Sequence, residues 1–403
     1  MGGAKQMMIE MEENGYSLSD YGEKFLCTNH YEDYYINQFI IDHSNKGKCS
    51  YCGKRTKVID LHDFTEYITE HIKKYYGNPD DENLPLSSSY FDRDEDDDKY
   101  IKRLGAFIVP SETEVYESTR ELLYDIDLYT DNEELNSDIE NCFYSDTWVQ
   151  HDPMVLSLGD ELSMKWTQFE YLVKHKQRFT FLGLEEFKED MFSHDNGLSD
   201  ILTEISKLIK ELNLVKLLKS GGEIYRCRFT NENSTTLSFK DLTSAPDNLA
   251  KQSRMSPAGI SMFYGAFDIK TAIKESKPKT IIHEQSVVGK FETTCDLNII
   301  DLTELPIQSF WSPYNWQAVS FLHSFCKQVS NEIERDDRIH IEYVPTQIFT
   351  EYLKYVFPKN YNKVDGIIFK SSLKDVTGNN IVLFYDQKSS AKVLQLNEII
   401  KNY

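Results

Sequence analysis

The feature that most limits the fold is a change of texture at Gly221-Gly222. Ahead of it, apolar residues recur three or four apart, the period of amphipathic helices. Leu61, Phe64, Ile68 and Ile72 form one such stripe, opened by Asp60 and ending near Gly77 with Pro79 just beyond. Ser111 and Glu114 have capping-box spacing ahead of Val115, Leu122, Leu123 and Ile126. Leu162, Trp166, Phe169, Leu172 and Val173 mark a helix over about 160–180, and Ile201, Ile205, Leu208, Ile209 and Leu212 one over about 197–219. Behind the glycine pair the texture is short β-like runs: EIYRCRF (223–229), ISMFYGAF (260–267), TIIHEQSVV (280–288), LNIIDL (297–302), VDGIIF (364–369) and NIVLFYD (380–386). Helical stretches interrupt them near 315–328 and 346–357. A glycine pair at a switch of period reads as a boundary. The expectation is three parts: a cysteine-bearing segment over 1–58, an all-α block over 59–219, and an α+β domain over 221–403.

The 403 residues carry a formal charge of −22. A surface this acidic repels phosphate backbones, which disfavours sequence-independent nucleic-acid binding. The acidic run within 88–100 reads as solvated. No apolar run has the roughly 18 residues of a membrane-spanning helix. The acidic start resembles no secretory signal, and Gln6 stands where a myristoylation pattern wants Ser or Thr. The expectation is a soluble, cytoplasmic chain. Neither a GxGxxG loop nor a P-loop lysine pattern is present.

Of seven cysteines, three cluster, and in a reducing compartment that reads as metal binding. Cys27-x2-His30 and Cys49-x2-Cys52 supply two pairs of soft or borderline ligands, as structural zinc requires. Gly53 permits the tight turn after the second pair, and His43 is an alternative to His30. Four protein ligands close the coordination sphere, so such a site is structural. The basic stretch Lys174-His175-Lys176-Gln177-Arg178-Phe179 reads first as a helix C-terminus, where cations oppose the dipole. Arg55-x6-His62 has a spacing used by some helical ribonucleases, which gives a second functional reading: an RNA-cleaving or RNA-sensing block with an accessory C-terminal domain. A third reading is a non-enzymatic interaction module.

The C-terminal part holds a sharper set. Arg226 lies on the first strand, and Arg254 sits in a turn-rich segment leading to a strand with Tyr264. Glu275 ends a short helix, where the dipole disfavours it. Ser371 and Ser372 end another strand. Together these can serve a dinucleotide without a Gly-rich loop. Guanidiniums give bidentate donors to a pyrophosphate, and a phenol ring gives a stacking face. A lone carboxylate can bond ribose hydroxyls and stabilise an oxocarbenium-like transition state, and a hydroxyl can position ribose or amide. Glu284 and Glu292 are nearby acidic alternatives.

From about 223 to 386 the chain resembles the RES domain. The stretches that carry the resemblance are YRCR, SRMSPAGISMFYGAFDIKTAIKE, EYVPTQIFTEYL and DGIIFKSS. The more common Gly-Arg-Phe-Asn start is here Ser253-Arg254-Met255-Ser256, a departure that keeps the Arg and changes its neighbours. The preceding region is similar to the HEPN-type domain often fused to RES domains. It has a Cys/His cluster, then Trp166, Phe169, Val173, Lys174, His175, Arg178 and Phe179 in order.

The resemblance implies an ADP-ribosyltransferase-like fold and an NAD-consuming enzyme of toxin–antitoxin type. Such an enzyme cleaves the nicotinamide N-glycosidic bond as a hydrolase, a phosphorylase or a transferase. It implies Arg226 and Arg254 as the family arginines, Tyr264 as its aromatic, Glu275 as its glutamate and Ser371 as its serine, with Asn380 at a late polar position. It further implies NAD as substrate, structural Zn2+, a cognate inhibitor or antitoxin as partner, and a homo-oligomer.

Overall fold

A computed structural model describes residues 23–79, 115–143, 147–151, 156–180, 200–231, 237–277, 284–331, 338–357, 363–373 and 376–401. The chain divides into two compact units, which interleave in sequence: Met1–Ser157 with Ile307–Trp316, and Leu158–Pro306 with Gln317–Tyr403.

In the first unit, β1 (Phe25–Leu26) is followed by α1 (Tyr34–His43), β2 (Asn45–Lys48), β3 (Arg55–Asp60) and α2 (Leu61–Ile72). The three strands form an antiparallel sheet in the order β1-β3-β2. Asp60 stops β3 and starts α2, because its side chain accepts from the His62 amide. Then come β4 (Tyr76–Gly77), β5 (Val115–Tyr116), α3 (Thr119–Asp125), α4 (Glu133–Glu140) and β6 (Trp148–Gln150), with a second antiparallel sheet in the order β4-β6-β5.

The apolar stripe of α2 (Leu61, Phe64, Ile68 and Ile72) is fully buried with Ile36, Ile40 and Leu122. Phe310 and Trp311 of the returning segment complete this core. Trp311 donates its indole N–H to the Ile126 carbonyl (2.9 Å). The buried His71 ring lies 2.8 Å, Nε2 to oxygen, from the Phe310 carbonyl, and burial pulls its pKa down to about 4.

This N-terminal part is not all-α. Two small sheets accompany the helices, and the stripe expected to run on toward Gly77 ends at Ile72, with Tyr76–Gly77 a strand. The helix expected from Ser111 begins at Thr119 among the described residues. Ser118 caps it by accepting from Glu121 N, and the Glu121 carboxylate accepts from Glu117 N. Ser111 and the acidic run within 88–100 lie outside the described residues.

The second unit opens with α5 (Leu158–His175), α6 (Asp200–Glu211), β7 (Val215–Leu218), β8 (Glu223–Asn231) and α7 (Phe239–Leu242). It continues with β9 (Phe263–Ala266), α8 (Ile269–Ser276), β10 (Glu284–Thr293), β11 (Leu297–Asp301) and α9 (Trp316–Ser330). It closes with α10 (Ile339–Glu342), α11 (Val344–Tyr355), β12 (Gly366–Lys370), β13 (Asn379–Leu383), α12 (Gln387–Ser390) and β14 (Leu394–Lys401). The strands make one mixed sheet in the order β14-β10-β8-β9-β13-β12-β11-β7, in which β11 and β12 are parallel.

Each face of the sheet buries a core, as the strand alternation requires. On one side Trp166, Phe169, Ile205 and Ile209 of α5 and α6 join Phe325 and Phe349 of α9 and α11 over Ile367 and Val382. At the other end of that side, α8 covers Tyr225, Cys227, Ala266 and Val288. The opposite face buries Ile224, Phe263, Phe291, Ile299 and Ile381. The helices of 158–211, assigned above to the N-terminal block, therefore belong to the core of the C-terminal sheet. The last of them stops at Glu211 instead of near 219. Asn213 takes a left-handed φ of 51°, its N–H bonds back to the Lys210 carbonyl, and the chain leaves as edge strand β7. Among the described residues no helix is long and apolar enough to cross a membrane.

Candidate active site

Glu275 occupies the last turn of α8, where the helix dipole works against it. Two donors hold it there. Its Oε1 accepts from Ser371 Oγ at 2.6 Å and from Asn380 Nδ2 at 2.7 Å. Both bonds are charge-assisted. Among the described residues no hydrogen bond is made to Oε2, and the residue is half-buried. The carboxylate thus has one anchored oxygen and one available oxygen.

Three local features place these groups. Asp268 caps α8 by accepting from Thr271 N (2.8 Å) and Thr271 Oγ1 (2.6 Å). Gly378 lets the β12–β13 connection pass over that cap, since a Cβ there would stand 2.0 Å from Thr271 Oγ1 and 2.2 Å from Asp268 Oδ2. The Gly378 carbonyl accepts from Ser371 N at 3.0 Å, which fixes the serine beside the helix end. Asn380 is buried on β13, registered between Ala266 and Phe369.

Arg254 approaches the same strand end. Its Nη2 lies 3.5 Å from Ser372 Oγ, its Nη1 donates to the Ser330 carbonyl, and its guanidinium lies 5.9 Å from the centre of the Phe369 ring. The turn that carries it is pinned by α11: Gln347 Nε2 donates to the carbonyls of Ser253 (2.8 Å) and Ser256 (3.3 Å), and Thr346 Oγ1 donates to that of Arg254 (2.8 Å). Of the three changed neighbours of Arg254, the two that follow it have defined places. Met255 is fully buried, and Ser256 Oγ is 2.9 Å from the Tyr264 hydroxyl. Burial raises the Tyr264 pKa, so its phenol stays protonated. A cavity of about 190 Å³ adjoins Arg254, walled by Trp166, Lys174, Gln328 and Tyr343. It is smaller than the roughly 300–1,000 Å³ of typical ligand pockets. Lys174 is committed to Glu170 (3.3 Å) and Glu342 (3.1 Å), and Arg178 Nε points at the Val173 carbonyl (3.5 Å), as expected of cations at a helix C-terminus.

Arg226 is placed differently from the expectation. It alternates on β8 with Tyr225 and Cys227, which face α8, so its side chain leaves the opposite face of that strand. Its Nη1 donates to the Tyr264 main-chain carbonyl at 2.6 Å, and its guanidinium lies 5.3 Å from the centre of the Phe263 ring. This is where β8 and β9 part, since they share a single registered pair, Tyr225 with Ala266. Glu275, Ser371 and Asn380 form one hydrogen-bonded group, which Arg254 flanks through Ser372. Tyr264 connects to the Arg254 turn through Ser256, and among the described residues Arg226 connects through the Tyr264 backbone. Glu292 is engaged elsewhere, accepting from Asn397 Nδ2 at 2.6 Å. The Glu284 side chain lies outside the described residues.

In the other unit, ligand atoms of Cys27, His30, Cys49 and Cys52 all lie within 4.8 Å of one another. Cys27 Sγ is 3.6 Å from Cys52 Sγ, and His30 Nε2 is 3.3 Å from Cys49 Sγ. With metal–sulfur bonds near 2.3 Å and metal–nitrogen bonds near 2.0 Å, such edges suit a tetrahedral ion. His43 is not a member of this group; its Nδ1 is 2.9 Å from the Phe39 carbonyl one turn back. Arg55 and His62 are not brought together. Both are exposed: Arg55 begins β3, about 17 Å long at 3.3 Å per residue, and His62 lies beyond its far end in the first turn of α2.

Two family models match: HEPN/RES N-terminal domain 1 over residues 42–186, and RES domain over 223–398. The chain is a RES-domain protein with a HEPN/RES N-terminal domain. RES domains are associated with NAD-utilising, toxin-like proteins. No curated protein matches the chain. The HEPN/RES match runs past the division of the two compact units at Ser157 and takes in α5, while the RES match begins at β8 and ends within β14. The structural unit built around the RES sheet is thus larger than the RES match, by α5, α6 and β7.

Proposed function

We propose that the RES unit cleaves the nicotinamide N-glycosidic bond of NAD. The observation that carries this reading is the Glu275 carboxylate, with Oε1 fixed by Ser371 and Asn380 and Oε2 left for substrate. In this reading Oε2 accepts from a hydroxyl of the nicotinamide ribose. As the C–N bond breaks, its electron pair leaves with nicotinamide, and the fixed carboxylate stabilises the positive charge on the ribose. A carboxylate already oriented costs no reorganisation at that moment. Water, phosphate or a protein side chain then adds to the same carbon.

Arg254, which flanks this group through Ser372 and has no ion pair among the described residues, serves the pyrophosphate. The Tyr264 ring, its hydroxyl anchored by Ser256, serves as the stacking wall. Ser371 changes role relative to the sequence expectation: it orients the glutamate and not the substrate. The Cys27, His30, Cys49 and Cys52 set would hold zinc, closing the β1–β2–β3 end of the N-terminal unit.

The experiment is nicotinamide release from NAD by the full chain, followed by mass spectrometry with and without phosphate. Wild type releases nicotinamide and Glu275→Ala does not. Equal release by both removes Glu275 from the reaction. The phosphate dependence of the ribosyl product distinguishes hydrolysis from phosphorolysis.

A further inference from the structure

In the N-terminal unit β2 and β3 form a ribbon closed by the turn that bears Cys49 and Cys52. Their register sets Lys46 opposite Lys57 and Lys48 opposite Arg55. Cross-strand partners share a face, as do residues two apart on one strand. All four cations therefore leave one face, about 5 Å apart across the ribbon and about 6.6 Å apart along it. The other face carries Val58, which is buried with Cys27 and Cys49. Ile59 continues the cationic face into the core of the unit, so the charged part is the outer end of the ribbon. Lys46, Lys48, Arg55 and Lys57 are exposed, and none makes an ion pair among the described residues.

The chain has 66 Asp and Glu against 44 Lys and Arg, yet residues 43–59 hold five cations and no acid. Like charges directly opposite one another on a sheet destabilise it, and the register makes two such pairs. A face that met only solvent would be better served by mixed signs. The cysteine cluster does not account for the four either. The cation whose charge reaches Cys52 and His30 is the fifth, Lys54, and the face that meets the cysteines is that of Val58. A polyanion does account for them. Among residues 44–57 no large apolar side chain is exposed, whereas protein interfaces centre on aromatic and apolar residues and are depleted in lysine. Lys and Arg bind a phosphate backbone without such an anchor. A two-stranded ribbon fits the major groove of B-form DNA, about 12 Å wide, while that of A-form RNA is too deep and narrow for side chains to read.

We infer that the β2–β3 ribbon is a binding element for double-stranded DNA, with Lys46, Lys48, Arg55 and Lys57 on backbone phosphates at the major groove. Contacts of this kind position a protein and carry no sequence information. The formal charge of −22 opposes approach from a distance, but charges beyond about 8 Å are largely screened at physiological ionic strength, so the local patch governs contact. The ribbon belongs to the unit that holds no part of the Glu275 group, and its binding is measured without NAD. It therefore stands or falls apart from the NAD reading.

The test is fluorescence anisotropy of a short labelled DNA duplex titrated with the full chain over a range of salt, together with thermal melts. Four phosphate contacts give a log–log salt slope of about −3.6, so wild-type affinity falls roughly 100-fold between about 50 and 200 mM salt. Lys46→Gln/Lys57→Gln removes two contacts, brings the slope to about −1.8 and weakens binding by about tenfold or more at the lower salt. Its melting temperature holds or rises, because a like-charge pair has gone. If that variant does not fold, Lys48→Gln/Arg55→Gln removes the other pair and has the same effect on slope and affinity. No DNA binding by wild type at the lower salt, or an unchanged affinity and slope in the variant that folds, overturns the site. Duplex RNA of the same sequence binds more weakly; equal or tighter binding overturns the groove assignment. Polyglutamate bound through these residues in place of DNA overturns the nucleic-acid reading and identifies an acidic protein partner.

Discussion

If Ser371 acts by holding Glu275, its hydroxyl matters only while that carboxylate is present. Ser371→Ala removes one of two charge-assisted bonds to Oε1, the one at 2.6 Å. A hydrogen bond to a charged group contributes about 1.5–3 kcal/mol. At about 1.4 kcal/mol per factor of ten, losing it lowers kcat/KM for NAD by roughly 10- to 100-fold. Asn380→Ala removes the other bond, at 2.7 Å, and has a loss of the same order. The decisive measurement is a double-mutant cycle, with nicotinamide quantified by mass spectrometry over long incubations to capture residual turnover. In a Glu275→Ala background, Ser371→Ala should change the remaining rate less than twofold, because the serine has nothing left to hold. The double variant Ser371→Ala/Asn380→Ala should fall well short of or well beyond the product of the single effects, since both donors serve one oxygen. Should Ser371→Ala cost as much without Glu275 as with it, the serine contacts substrate directly and the positioning argument is wrong.

Two further outcomes follow from the N-terminal unit. The full chain should carry one zinc by elemental analysis, and Cys49→Ser should lose it and lower the melting temperature; a wild-type protein purified free of metal and insensitive to chelators would refute the site. His71 is neutral in the fold, with its pKa near 4 against an ordinary 6.5, so between those values the unfolded chain binds the extra proton. Its contribution to stability is whole above pH 6.5 and declines as pH falls toward 4, by up to about 3 kcal/mol. Urea melts at pH 7 and pH 4.5 should show this difference shrinking in His71→Gln.

Much of this was legible in the sequence, and the failures have physical causes. The dipole conflict at Glu275 pointed to an external partner for it, and the fold supplies two. The Cys/His pairs were legible because metal spacing is local. The stripe through Trp166 and Phe169 showed that α5 has an apolar face but not what covers it; periodicity carries no information about the partner. Ser111 and Ser118 both begin an Ser-x-x-Glu pattern, and only the second has its helix among the described residues. Asn213, whose left-handed backbone stops α6, was a readable stop signal that the run of leucines obscured. Strands of two residues, such as Tyr76–Gly77 and Val115–Tyr116, are too short to show alternation. The opposed faces of Arg226 and Glu275 required the sheet register.

The excursion of Ile307–Trp316 governs how this protein can be taken apart. No single cleavage point separates the halves. A fragment starting at Gly221 would lack α5 and α6, leaving Phe325 and Phe349 uncovered, and would still carry Phe310 and Trp311, whose own hydrophobic setting stays with the discarded piece. Such a fragment should be sticky and poorly folded whatever its chemistry. Questions about what each half does are better put to point variants of the whole chain than to truncations.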